Sequence, residues 1–220
     1  MRLVVVTGTG TEVGKTWVTA GLARRLRTAG VAVAARKPAE SYEPGTVDTD
    51  SRVLAAATGE QADDVCPPEW RYPVPMAPPM AADALGRPAP VLAGLAASTG
   101  GRWPAGVDVG LVEGAGGVRS PQAADGDTVD LIAALSADLV VLVAEAGLGT
   151  ISLVRLSTAA LAGWPTIVFL NRHEPADPLH AGNRDWLRAD GFEIVTTLDD
   201  LRDRVLRSIS AGRQARWRRK

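Results

Sequence analysis

The 220 residues predict one α/β domain, built on a mostly parallel central sheet with helices on both faces. Three observations carry this expectation. Short apolar runs alternate with longer amphipathic segments, which is the rhythm of successive βαβ units. The first run, Leu3-Val4-Val5-Val6, is continuously apolar rather than alternating, as a strand covered on both faces requires. A glycine-rich turn then joins that run to a helical segment, at the end of the strand where α/β sheets receive ligands.

Taken in order, strands are expected at 3–6, 31–35, 109–112, 139–144, 166–170 and 192–195. The first helix is expected at 14–27, where Val18, Leu22, Ala23 and Leu26 fall on one side. Further helices are expected at 50–57, 128–136, 150–162, 183–190 and 199–210. Between about 59 and 104 the rhythm lapses. Pro67-Pro68 and the run Pro73-Val74-Pro75-Met76-Ala77-Pro78-Pro79 oppose regular structure, leaving room only for short helices at 81–85 and 91–97. Trp70, Tyr72, Met76 and Trp103 give this stretch apolar surface to bury, so it reads as an irregular insertion packed on the sheet. The basic end at about 211–220 reads as a solvated, frayed tail. There are no internal repeats.

Composition narrows the function. Apolar residues make up 46% and charged residues 22%, enough for a packed core and against wholesale disorder. A net charge of −1 offers no broad field for nucleic acid or a membrane surface. No run of 18 apolar residues exists to span a bilayer, and the first apolar run is too short for a secretion signal. A cytoplasmic protein is expected. The single cysteine, Cys66, excludes an internal disulfide and reads as a small packed residue. His173 and His180 have no cysteine or further histidine to join them, so no metal site is expected there.

The segment Thr7-Gly8-Thr9-Gly10-Thr11-Glu12-Val13-Gly14-Lys15-Thr16 reads as a phosphate loop, making the chain a P-loop nucleotide-binding domain. Glycines let backbone N–H groups turn inward around phosphate oxygens, and the helix N-terminus adds partial positive charge. Lys15 can reach the β- and γ-phosphates, and the Thr16 hydroxyl can ligate magnesium. Position 17, Trp17, is left out of the nucleotide-binding set. The spacing carries one departure: counting back from Gly14, Thr9 stands where the usual pattern has glycine, and Gly8 is one residue early.

Several later segments fall at strand ends. Lys37-Pro38 closes the second strand, pointing a lysine at the ligand crevice. Asp48-Thr49-Asp50 opens a helix, with Asp48 the candidate N-cap. Val109-Gly110-Leu111-Val112-Glu113-Gly114-Ala115-Gly116-Gly117 is an apolar strand ending in an acid and then glycines, an arrangement that sets a second metal ligand beside phosphates. Asn171 ends the fifth strand, where a simple turn competes as its role.

Together, Val-Thr-Gly-Thr-x-Thr-x-Val-Gly-Lys-Thr, Lys37-Pro38 with Ser41, Asp50, Glu-Gly-Ala-Gly-Gly with Pro121, and Gly147-Leu148-Gly149-Thr150-Ile151 resemble the dethiobiotin synthetase family from Leu3 to about Asn171. The resemblance implies ATP and Mg²⁺ with 7,8-diaminononanoate and CO₂ as small-molecule substrates. A carbamate forms, takes the γ-phosphoryl group, and closes to a cyclic urea in biotin biosynthesis. It makes Lys15 and Lys37 the catalytic cations, and Thr16, Asp50 and Glu113 the metal ligands. Nucleotide contacts fall to Glu12, Val13, Gly14, Lys15, Thr16 and Asn171. Substrate contacts fall to Thr11, Ser41, Gly116, Thr150, Ile151 and Ser152, the last three across a homodimer interface. Tyr42, Ser152 and Leu153 depart from the family pattern near the substrate. They keep open a P-loop synthetase acting on another amine or carboxylate; a non-enzymatic nucleotide switch is the remaining alternative.

Overall fold

The computed structural model describes residues 1–217, with side chains to residue 208. The basic end expected to fray lies past those side chains, and 218–220 fall outside the described residues. Six strands form one wholly parallel sheet: β1 (Arg2–Gly8), β2 (Val33–Arg36), β3 (Val109–Glu113), β4 (Leu139–Glu145), β5 (Thr166–Asn171) and β6 (Glu193–Val195). Their order is β6-β5-β4-β1-β3-β2, with every pairing parallel. The central strand β1 pairs Val4 with Leu111 on one side and with Leu139 on the other. The direction of chain crossing reverses around β1. The crevice at its carboxyl end, between the ends of β3 and β4, is therefore where a ligand belongs.

Alternate residues of β1 bury into separate cores on the two sheet faces, as the two-residue side-chain period demands. Val4 and Val6 meet Val18, Leu22 and Leu26 of helix α1 (Lys15–Thr28), together with Leu54 and Leu201. Leu3 and Val5 meet Ile132, Val154 and Leu187 on the opposite face. These cores are supplied by α1, α2 (Asp50–Thr58) and α8 (Leu198–Trp217) on one face. On the other stand α5 (Thr128–Ala134), α6 (Thr150–Ala160) and α7 (Pro178–Ala189). Each fully buried leucine or valine contributes about 1.5–3 kcal/mol relative to exposure.

Some local expectations need correction. The second strand starts at Val33 rather than residue 31, because the Val31 N–H bonds back to the Leu26 carbonyl at 3.0 Å and finishes the turn after α1. Helix α7 starts at Pro178, five residues before the expected 183. Proline is tolerated in the first turn, and the Asp177 carboxylate accepts from the Leu179 N–H at 2.8 Å as the cap. Asp48 does not cap α2. Thr49 takes the cap position without a side-chain bond, and Asp50 is itself the first helical residue, which leaves its carboxylate to face the crevice. Helix α8 continues to Trp217, past the expected end at 210.

The proline-rich stretch contains α3 (Pro78–Ala84), α4 (Leu92–Gly100) and a strand of two residues, Arg71–Tyr72, which pairs in parallel with Glu40–Ser41. Tyr72, Ala81, Leu95 and Leu131 make a third apolar cluster under it. Trp103 packs at the edge of the second core with the Arg36 guanidinium 4.7 Å above its ring. Met76, expected to be buried with them, is exposed. Four prolines within seven residues hold its backbone away from the cluster, and it faces the crevice instead.

Candidate active site

The loop between β1 and α1 is held by backbone contacts before any side chain enters. The Thr9 N–H donates to the Val143 carbonyl of β4 at 2.9 Å. Gly14 has φ +92°, a left-handed conformation that favours glycine, and a Cβ there would stand 2.1 Å from the Asn171 amide nitrogen. That amide donates to the Val13 carbonyl at 2.9 Å. The β3 loop leans on the same turn. The Val118 N–H donates to the Gly8 carbonyl at 3.1 Å, and a Cβ on Gly117 would meet the Gly10 backbone at 3.3 Å. Gln122, fully buried, clasps Ala115 by both its N–H (3.0 Å) and its carbonyl (2.7 Å). The two loops form one interlocked unit at the carboxyl edge of the sheet.

Five of the expected residues converge on it. The Thr16 hydroxyl lies 2.7 Å from Asp50 Oδ1 and 2.8 Å from Glu113 Oε1. It carries one proton and can serve only one of them at a time. Lys37 Nζ bridges the same carboxylates, 2.6 Å from Asp50 Oδ2 and 2.8 Å from Glu113 Oε1. Lys37 and Glu113 are buried, whereas Asp50 opens to the crevice. Burial by itself would lower the Lys37 pKa. The two carboxylates outweigh it and hold the ammonium above its ordinary range. Asp50 is likewise held below the usual carboxylate value: burial opposes this, but the Lys37 ammonium and the Thr16 hydroxyl prevail. Lys15, buried and donating to the Gly10 carbonyl at 3.0 Å, is lowered to about 8 by burial and by the neighbouring Lys37 charge, against the pull of Glu113 and Asp50.

Lys15, Thr16, Lys37 and Asp50 floor a cavity of about 660 Å³, also lined by Thr11, Glu12, Ser41 and Gly116, with Glu113 buried behind them. Ser41 donates to the Met76 carbonyl at 2.5 Å, which fixes it on the wall contributed by the proline-rich segment. Val13 is buried under the loop, outside the cavity lining, with its carbonyl taken by Asn171. Thr150, Ile151 and Ser152 are not brought here. They start α6 outside the cavity lining, with the Thr150 hydroxyl buried and without a partner.

A second cavity of about 700 Å³ adjoins the first and shares Gly14 and Arg172 with it. Its walls are one face of α1, the end of β5 with Asn171, and residues 196–199. Sequence reasoning missed two of its residues. Arg172 has φ 55°, pairs with Glu145, and donates to the Glu12 carbonyl at 3.3 Å, across from a Glu12 that is itself left-handed at φ 62°. Its position directly after Asn171 was the available signal. Trp17, 59% exposed, stands at this cavity's edge.

The site can be tested for its fitness to hold a hard divalent cation. Glu113 Oε2 is buried without a hydrogen-bond partner. Around the Thr16 oxygen stand two carboxylates that share one hydroxyl proton and one ammonium. That surplus of oxygen donors suits a small cation which keeps its remaining positions for water and phosphate.

Comparison with known proteins identifies the family. The AAA domain family matches residues 2–175. The ATP-dependent dethiobiotin synthetase BioD of Rhodococcus jostii (strain RHA1) is 43% identical over 222 residues, covering 96% of this chain and 87% of the relative. The chain belongs to the dethiobiotin synthetase family. A second dethiobiotin synthetase, from Anaeromyxobacter sp. (strain Fw109-5), is 36% identical across 97% of this chain and 99% of its own length. Both matches run well past Asn171, where the resemblance of motifs fades. Among solved structures, a DUF1611 family protein from Anabaena variabilis superposes with a TM-score of 0.57 at 17% identity, over 96% of this chain and 57% of that one. The signal recognition particle receptor FtsY from Elizabethkingia anophelis gives 0.53 at 14% identity, over 89% and 57%. These two share the fold alone with this dethiobiotin synthetase family member.

Proposed function

We infer that this chain is an ATP-dependent dethiobiotin synthetase, the cyclo-ligase of biotin biosynthesis that joins CO₂ to 7,8-diaminononanoate. Family membership supports the activity. The observation carrying the mechanism is the buried Lys37 ammonium set between Asp50 and Glu113 at the floor of the first cavity. Magnesium, when bound, would supply charge neutralisation at the triphosphate, with Thr16, Asp50 and Glu113 as its protein ligands.

The chain's own residues do the rest. Lys15 releases the Gly10 carbonyl and turns its ammonium onto the β- and γ-phosphates. Binding of that polyanion reverses the lowering of its pKa. Lys37 is held charged and faces the point where carbamate and γ-phosphate meet, so negative charge gathered there is met by a fixed cation. Thr11, Ser41 and Gly116 line the wall on which the diamine would lie. No side-chain nucleophile is required. The substrate's first amine takes up CO₂, the carbamate oxygen takes the phosphoryl group, and the second amine closes the ring with release of phosphate. Positioning and charge provide the acceleration.

A homodimer completes this reading. Leu148, Leu153 and Leu156, at the start and on the outer face of α6, are 91%, 47% and 69% exposed, an apolar strip suited to a second copy. Thr150, Ile151 and Ser152 on the same turns would then reach the partner's substrate carboxylate. A cytoplasmic location goes with these small-molecule substrates. Among the described residues no helix is long and apolar enough to cross a membrane.

The direct test is incubation with ATP, Mg²⁺, bicarbonate and 7,8-diaminononanoate, measuring the cyclic urea and phosphate together. Equal release of both is expected. Phosphate without urea would transfer the chain to another substrate, and neither product would refute the assignment.

A further inference from the structure

Helix α2 begins at Asp50, and its first turn leaves backbone N–H groups that nothing within the helix can accept. Thr49, at the cap position, makes no side-chain bond to them. The acceptor comes from another segment. Glu40, 1% exposed, takes the Ser51 N–H on Oε2 at 2.8 Å and the Ser51 hydroxyl on Oε1 at 2.6 Å. Both bonds end on a charged oxygen, which makes them strong, and the carboxylate also meets the partial positive charge of the helix N-terminus. The Ser51 hydroxyl proton is thereby committed, so the Thr49 hydroxyl, 3.2 Å away, donates to Ser51. Arg71 completes the set. Its Nε stands 3.3 Å from Glu40 Oε1, where Glu40–Ser41 pairs with Arg71–Tyr72.

A hydroxyl at the cap position would satisfy the Ser51 N–H as well, but it would not fix where the helix sits. Glu40 belongs to the segment that carries Lys37 and Ser41, and Ser51 directly follows Asp50. The two segments are therefore joined twice, by Lys37 to Asp50 at 2.6 Å and by Glu40 to Ser51. The first join lies on the floor of the first cavity. The second is buried outside the cavity lining. In the proposed reaction the first join is given up, since Asp50 serves magnesium and Lys37 turns to the carbamate and the γ-phosphate. Glu40 is the join that remains.

We propose that Glu40 is a positioning residue for this reaction: through Ser51 it keeps Asp50 in place to hold magnesium while Lys37 leaves it for the substrate. The proposal rests on the dethiobiotin synthetase reading of the site. Glu40 itself touches neither the metal nor the reacting atoms.

The test measures the binding of Mn²⁺, a paramagnetic substitute for Mg²⁺, to the full chain saturated with ADP, by electron paramagnetic resonance. ADP binding in EDTA is measured beside it by calorimetry. Glu40→Gln keeps the volume and one acceptor, and should weaken Mn²⁺ about three- to tenfold; Glu40→Ala should weaken it about tenfold or more. Metal-free ADP should bind within about twofold of wild type in both variants, since the phosphate loop is a separate element. With ATP the half-saturating Mg²⁺ should rise by the same factor as the Mn²⁺ dissociation constant, while kcat at saturating Mg²⁺ stays within about threefold. In an Asp50→Asn background, Glu40→Gln should weaken Mn²⁺ no further, because Glu40 acts through Asp50. Should Glu40→Ala fail to fold, Glu40→Gln decides alone. Wild-type Mn²⁺ affinity in Glu40→Gln overturns the proposal and leaves the reaction reading standing, as does an undiminished further loss in the Asp50→Asn background. Equal losses for ADP with and without metal also overturn it, by placing the effect on the fold. A wild-type chain that binds no ADP overturns the nucleotide reading and this proposal together.

Discussion

Replacing Lys37 with methionine removes the charge that touches both site carboxylates while keeping most of the side-chain volume. The cost falls mainly on Glu113, which is 0% exposed; Asp50, with 38% of its side chain accessible, is relieved by solvent. Leaving a buried carboxylate without its ion partner costs about 4 kcal/mol, the middle of the range for breaking one side of a buried pair. For a chain of this length it corresponds to a fall of about 8–16 °C in Tm. The deficit must shrink with acidity, because in the wild type, against burial, it is chiefly the Lys37 ammonium that stabilises the ionised Asp50, and protonation of Asp50 removes that difference. Asp50 is held below its ordinary value in the folded chain, so its contribution is present above the unfolded pKa and is lost as pH falls through the folded one. Urea unfolding of both proteins at pH 7 and at about pH 3, with and without millimolar Mg²⁺, measures each quantity. Magnesium should restore part of the variant's stability at pH 7, since it replaces the missing positive charge. An unchanged midpoint, or a deficit equal at both pH values, would refute the account of the cluster.

Three other outcomes are expected from the same structure. Gly14→Ala forces a Cβ into a φ of +92° and against Asn171, so it should cost about 1–3 kcal/mol in urea unfolding and weaken ATP binding by calorimetry more than tenfold; an alanine variant that binds like wild type would contradict the close packing. Leu156→Glu puts a charge in the exposed strip of α6 and should shift the sedimentation profile from dimer to monomer while leaving the far-UV spectrum intact. The Cys66 thiol is pushed up to about 12 by burial and the nearby Glu40 charge, so the native chain should resist iodoacetamide at pH 8 and react once unfolded in urea. Because the folded chain keeps a proton that the unfolded thiol gives up from about pH 9, this residue's contribution to stability declines as pH rises above 9.

The features legible in the sequence are those that depend on neighbours in the chain. Lys15 and Thr16 are adjacent to the loop glycines, and Lys37 and Glu113 each sit at the end of an apolar run. Once the runs are parallel strands, their ends must gather on one edge. Asp50 is legible through its place in the family pattern, although its neighbour Asp48 has the better credentials as a cap. The segment from Pro67 to Pro79 is harder. Its contribution to the site comes through the Met76 carbonyl and pairings of two residues, which leave no periodic trace. The second cavity is illegible because three distant segments, at 14–25, 169–173 and 196–199, each supply a wall and leave no shared motif. Trp17 escapes notice for the same reason: beside Thr16 it lacks a hydroxyl, and only the folded helix shows which way it faces.

The contact between Gly117 and the Gly10 backbone has a consequence for how this site can change. A turn that carries one residue more than the usual spacing leans directly on the glycines after Glu113, main chain against main chain, with no side chain between them to absorb a displacement. Lengthening or shortening either segment would shift the acid relative to the lysine it serves. The two stretches, about a hundred residues apart, are therefore tied into a single heritable unit, and new specificities have to arise on the surrounding walls.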